Sequence, residues 1–80
     1  MTLYETKATW NSGTLKMEFL SGKLLGNTYK IKGEMLDNGH FLVFIGMPFV
    51  QISPIHRSIS ADEESEIINA LRNNYHEVEF

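Results

Sequence analysis

The stretch Asp37–Ile52, DNGHFLVFIGMPFVQI, decides how the rest of the chain must be arranged. It opens on Asp37-Asn38-Gly39, and Asn-Gly favours tight turns whose twist matches that of paired strands. The ten residues from Phe41 to Val50 then carry no charge and no hydrogen-bonding side chain. A strand through Phe41–Met47 with apolar residues on both faces predicts that both faces are covered. Pro48 has no N–H to give to a sheet ladder, so the strand is expected to break near Gly46-Met47-Pro48. Phe49–Ser53 resumes it, and Pro54 ends regular pairing.

Working upstream, Thr28–Leu36 alternates, with Tyr29, Ile31 and Met35 inward and Lys30, Lys32 and Glu34 outward. Gly33 falls on the inner face, which suggests a bulge or a bend. The Asp37–Gly39 turn pairs this segment with Phe41–Met47. Thr14–Leu20 alternates as cleanly, placing Leu15, Met17 and Phe19 inside. Asn11-Ser12-Gly13 is turn chemistry. Before it, Tyr4, Thr6, Ala8 and Trp10 alternate with Leu3, Glu5, Lys7 and Thr9.

Downstream, the period changes. Ser60 and Glu63 form an S-x-x-E capping box, and Asp62, Glu63 and Glu64 set negative charge on the positive end of a helix dipole. Ile67, Ile68, Leu71 and Tyr75 share one stripe, with Asp62, Glu66, Asn69 and Asn73 opposite, predicting a helix over 61–74 that docks by one side. Tyr75–Phe80 alternates again and suits a short closing strand or a docked tail. Glu64 projects into the apolar stripe, where it either reaches solvent past the sheet edge or pairs with Arg57 or a lysine at the helix–sheet seam.

These elements predict the α+β class: a strongly curled antiparallel sheet of about five strands, an SH3-like half-barrel, with one C-terminal helix packed on it. The helix is expected to cover the second face of Phe41–Met47 and Phe49–Ser53, with Leu71 as its central anchor. Leu71 would meet Leu42, Phe44, Val50 or Ile52.

Eighty residues at 42% hydrophobic and 21% charged make one folded domain, 1–80. There is no cysteine, so no disulfide framework or thiolate site stabilises it, and a cytoplasmic protein is expected. The N-terminus lacks the basic and apolar regions of a signal peptide. Phe41–Val50 is too short for the roughly 20 apolar residues of a membrane span, so a soluble protein is expected. Net charge is −3 and uneven: +2 over residues 1–57 and −5 over residues 58–80.

Chemistry-bearing motifs are absent. His40, His56 and His76 have no metal-ligand spacing, and structural or exposed roles account for them. No serine or threonine stands in a nucleophile context, and Gly22–Gly26 is not a phosphate loop. An enzyme is not expected, and no cofactor or metal is called for. Lys16, Lys23, Lys30 and Lys32 could form a basic stripe of the kind that binds nucleic acid. The aromatic residues, however, fall on the inner face, and Glu18 and Glu34 interrupt the stripe, so a solvated face is the preferred reading.

The acidic side chains Asp62, Glu63, Glu66, Glu77 and Glu79 make a candidate partner-binding surface, alongside an anchor at Met47-Pro48-Phe49. The resulting expectation is a small intracellular protein-binding module that docks on and occludes a larger protein. That partner could be a nucleic-acid-binding protein with a basic groove, and self-association as a homodimer is compatible with the reading. The profile is that of a phage or mobile-element inhibitor or accessory protein. The alternative is a small β-barrel nucleic-acid-binding protein using the lysine face.

Overall fold

The computed structural model describes residues 4–80. Seven strands and one helix follow in the order β1 (Thr6–Asn11), β2 (Thr14–Phe19), β3 (Thr28–Met35), β4 (Phe41–Val43), β5 (Val50–Ser53), β6 (Arg57–Ser58), α1 (Ala61–Asn74) and β7 (Val78–Glu79). The first strand was expected from Leu3, which lies outside the described residues.

Local chemistry explains the hairpins. Asn11 faces Thr14 across a two-residue turn in which Ser12 and Gly13 have φ of 48° and 77°. Two left-handed residues in such a turn match the twist of the flanking strands. The Asp37–Gly39 turn joins β3 to β4 in the expected register, with Met35 opposite Phe41 and Gly33 opposite Val43.

The sheet is a half-barrel, and one aromatic contact demonstrates the curl. β1 and β4 are separated by β2 and β3, so in a flat sheet they would lie about 14 Å apart. Yet the rings of Trp10 and Phe41 meet at 4.5 Å between centroids. Gly33 permits this, because a Cβ there would collide with the Phe41 ring and the Leu42 carbonyl oxygen. The register runs unbroken at Gly33. The irregularity lies between Thr28 and Tyr29, where Ile52 is the extra residue of β5. Thus the missing side chain makes room for a ring rather than a bulge.

The helix packs on the concave face. Ile67, Ala70 and Leu71 are fully buried in one cluster with Leu15, Met17, Phe19, Tyr29, Ile31, Phe41, Val43 and Phe49. Leu42, Phe44, Val50 and Ile52 lie outside that cluster, contrary to the expected partnership with Leu71. They have the opposite strand parity and face the convex side, which the helix does not cover. Met35, expected inside, is exposed, since the barrel's interior has ended two residues earlier.

Each end of α1 is tied to the sheet by a tyrosine hydroxyl. At the N-terminus, Tyr29 donates to Glu63 Oε2 at 2.6 Å. Arg57 Nη2 reaches the two oxygens of the same carboxylate at 3.1 and 2.8 Å. At the C-terminus, Tyr75 donates to the Thr6 carbonyl at 2.6 Å and accepts from the Thr6 hydroxyl at 2.8 Å. The helix therefore bridges the half-barrel from the β3–β5–β6 side to β1. The closing strand forms as well, but β7 pairs with β4 in parallel, with Phe41 N–H donating to the Glu77 carbonyl at 2.7 Å. A tail returning at the end of a helix meets β4 from this direction, so the sheet is mixed.

Candidate functional site

The largest departure from the sequence reading is the apolar run itself. β4 and β5 lie one after the other along the same edge of β3, the edge away from β2. Gly33 faces Val43, the Phe44 N–H donates to the Lys32 carbonyl at 3.0 Å, and Lys30 faces Val50. Residues 45–49 therefore stand against Ile31 alone, and the surplus chain must leave the sheet. Val43 and Phe49, 3% and 1% exposed, anchor the two ends of the excursion in the core.

Between those anchors, Phe44, Ile45 and Met47 are 36%, 47% and 39% exposed. The Met47 N–H closes a turn on the Phe44 carbonyl at 3.1 Å, and Pro48 stiffens the return. The result is a projecting tip with no polar side chain. Of the anticipated anchor pair, Met47 is at this surface, whereas Phe49 is a core residue and offers a partner nothing. Phe44 and Ile45 are the members that sequence reasoning placed in a buried strand.

The acidic residues do not converge. Asp62 and Glu77 lie at opposite ends of α1, a helix about 20 Å long. Glu66 pairs with Lys23 at 3.7 Å, and Glu79 Oε2 lies 3.5 Å from His40 Nδ1. Glu63 is committed to Tyr29 and Arg57, so only the Ser60 half of the capping box forms, through the Glu63 N–H at 3.2 Å. Arg57 chooses Glu63 rather than Glu64, because β6 delivers it beside the first turn of the helix. Burial, and then the hydrogen bond to Glu63, push the Tyr29 phenol up to about 12. Such a group is a lock on the helix N-terminus.

Lys16, Lys30 and Lys32 share the convex face, where Lys16 stands directly opposite Lys30. Lys23 belongs elsewhere, on the loop beside α1. Trp10 and Tyr4 pack against the core, as the alternation required. Among the described residues, no three His, Asp or Glu side chains gather as a metal site. His56 and His76 are exposed and far apart in the chain. No helix is long and apolar enough to cross a membrane.

A helix-bridged β half-barrel with an apolar tip is the class of molecule that fold and surface define. The chain matches no family model, no curated protein and no solved structure.

Proposed function

We propose that this chain is a protein-binding module that acts inside the cell by docking on a larger protein and occluding its surface. The 44–48 tip is the anchor. One observation carries the reading: Phe44, Ile45 and Met47 stand exposed together on a segment whose two ends are fixed in the core. Apolar side chains presented on a pre-ordered turn lose little conformational freedom on binding and fill a pocket well. The same properties suit an inhibitor or accessory protein of the kind phages and mobile elements carry. The acidic side chains are spread along and beyond the helix, so they form no single patch.

Immobilised wild-type protein and its Met47→Asp variant, exposed to the same lysate, test this. A partner should be retained by wild type and by Asp62→Lys/Glu66→Lys, and lost on Met47→Asp at an unchanged thermal midpoint. Retention of the partner by Met47→Asp would move the interface away from the tip.

A further inference from the structure

We infer that the convex face of the sheet carries a second site, which binds single-stranded nucleic acid along its phosphodiester backbone. Its charged centre is Lys16, Lys30 and Lys32. Lys16 and Lys30 are direct cross-strand partners, an arrangement that sheets ordinarily avoid because like charges there repel. No carboxylate among the described residues lies within ion-pairing distance of any of the three. In a chain of net charge −3, three adjacent unpaired cations are an unspent attraction for an anion.

The surface beside Lys16 and Lys30 is hollowed and offers donors to oxygen ligands. A depression of about 380 Å³ is lined by Thr9, Asn11, Ser12, Thr14, Lys16 and Lys30, with Ile52 as its apolar margin. Most of its lining surface is carbon, from the side-chain stems and Ile52, with ammonium, hydroxyl and amide groups set into it and no acid among them. Ser12 donates its hydroxyl to Asn11 Oδ1 at 3.1 Å, which leaves the amide NH₂ as the end of Asn11 that can meet an acceptor. Phosphate, with several acceptor oxygens and full charge, is the group that such a lining suits best.

Geometry favours a strand of nucleotides over an isolated anion. Directly opposed residues put their Cβ atoms about 5 Å apart. Lys30 and Lys32, two residues apart on one face, are separated by roughly 6.7 Å. The lysines thus form a short track rather than a point. Beyond Lys32, Phe44 offers an exposed ring on which a base can stack. Glu18, facing Lys7 and Thr28, and Glu34, facing Leu42, bound the track on either side and keep it short. Three phosphate contacts on a single strand predict a slope of log K against log salt of about −2.

Fluorescence anisotropy with a labelled oligothymidylate of about a dozen nucleotides tests the inference, a length sufficient for one such site. Binding at low salt should show this slope. Lys16→Glu/Lys30→Glu should weaken it by about tenfold or more, while Lys23→Glu, on the helix side, should change it by less than about twofold. The double variant exchanges one exposed like-charge pair for another and should keep its thermal midpoint; should it fail to fold, Lys16→Gln must still weaken binding and flatten the slope. No binding at low salt, equal losses for Lys23→Glu, or equally tight binding of a labelled polyglutamate would each overturn the site.

Discussion

Phe41–Val43 and Phe44–Met47 are neighbours of nearly the same composition with opposite fates. Phe41 and Val43 are buried at 1% and 3%, while Phe44, Ile45 and Met47 face water. Hydrophobicity does not separate them; register does. β3 offers this edge only a limited length of backbone, and the pairs Gly33–Val43 and Lys30–Val50 consume it. Apolar side chains inside the register enter the barrel, and those in surplus are held outside it. Such a surplus costs exposed apolar area, and its presence on a turn anchored at both ends is what supports the proposed binding surface.

The contrast can be broken at its buried half first. Phe41→Ala removes a ring that contacts Trp10 and covers Gly33, and it should cost about 3–5 kcal/mol in urea titration. Against a stability of about 5–15 kcal/mol for a small domain, that is enough to unfold much of the population. Leu71→Ala, beneath the same concave face, should cost about 2–5 kcal/mol, while Asn73→Ala on the solvent side should stay within about 0.5 kcal/mol. Equal effects of the two helix variants would remove the helix from the concave face.

A smaller effect tests how the helix is held there. Tyr29→Phe deletes the hydrogen bond donated to the charged Glu63 carboxylate and the longer one accepted from Asn27 Nδ2 at 3.3 Å, and should cost about 1.5–3 kcal/mol at neutral pH. The phenol is raised in the folded state, so its contribution is complete below the ordinary value of about 10 and fades as pH climbs through about 12. Wild-type stability should fall over that window, and the fall should be shallower in Tyr29→Phe. Parallel alkaline curves for the two proteins would contradict the lock. At the exposed half of the run, Met47→Ser should alter stability by no more than about 0.5 kcal/mol.

Much of this fold was legible in the residues. Alternation revealed β2 and β3, Asn38-Gly39 and Ser12-Gly13 marked the hairpins, and Ser60 with the stripe through Leu71 bounded the helix at 61–74. Those signals are local, and local chemistry was enough to read them. The tip was not legible, because a continuous apolar run has no alternation to mark where pairing stops. Amphipathicity says that a helix docks but not on which side of a curled sheet, so Leu42 and Val50 were assigned the wrong companions. Glu63 looked like a capping residue, and only tertiary structure brings Tyr29 and Arg57 to it. Of the candidate surfaces, Met47 was named from sequence as an anchor and Lys16, Lys23, Lys30 and Lys32 as a stripe read preferentially as a solvated face, whereas Phe44 and Ile45 were hidden by their own hydrophobicity.

Native-state thiol labelling tests the division of the apolar run most directly, since the chain has no cysteine to interfere. Val43→Cys and Met47→Cys place one thiol on each side of the boundary. Met47→Cys should react within about tenfold of an unfolded-chain thiol, and Val43→Cys at least about a hundredfold more slowly, because it must await opening of the barrel. Comparable rates at the two positions would mean that the run is uniformly covered or uniformly exposed, and the projecting tip would not exist.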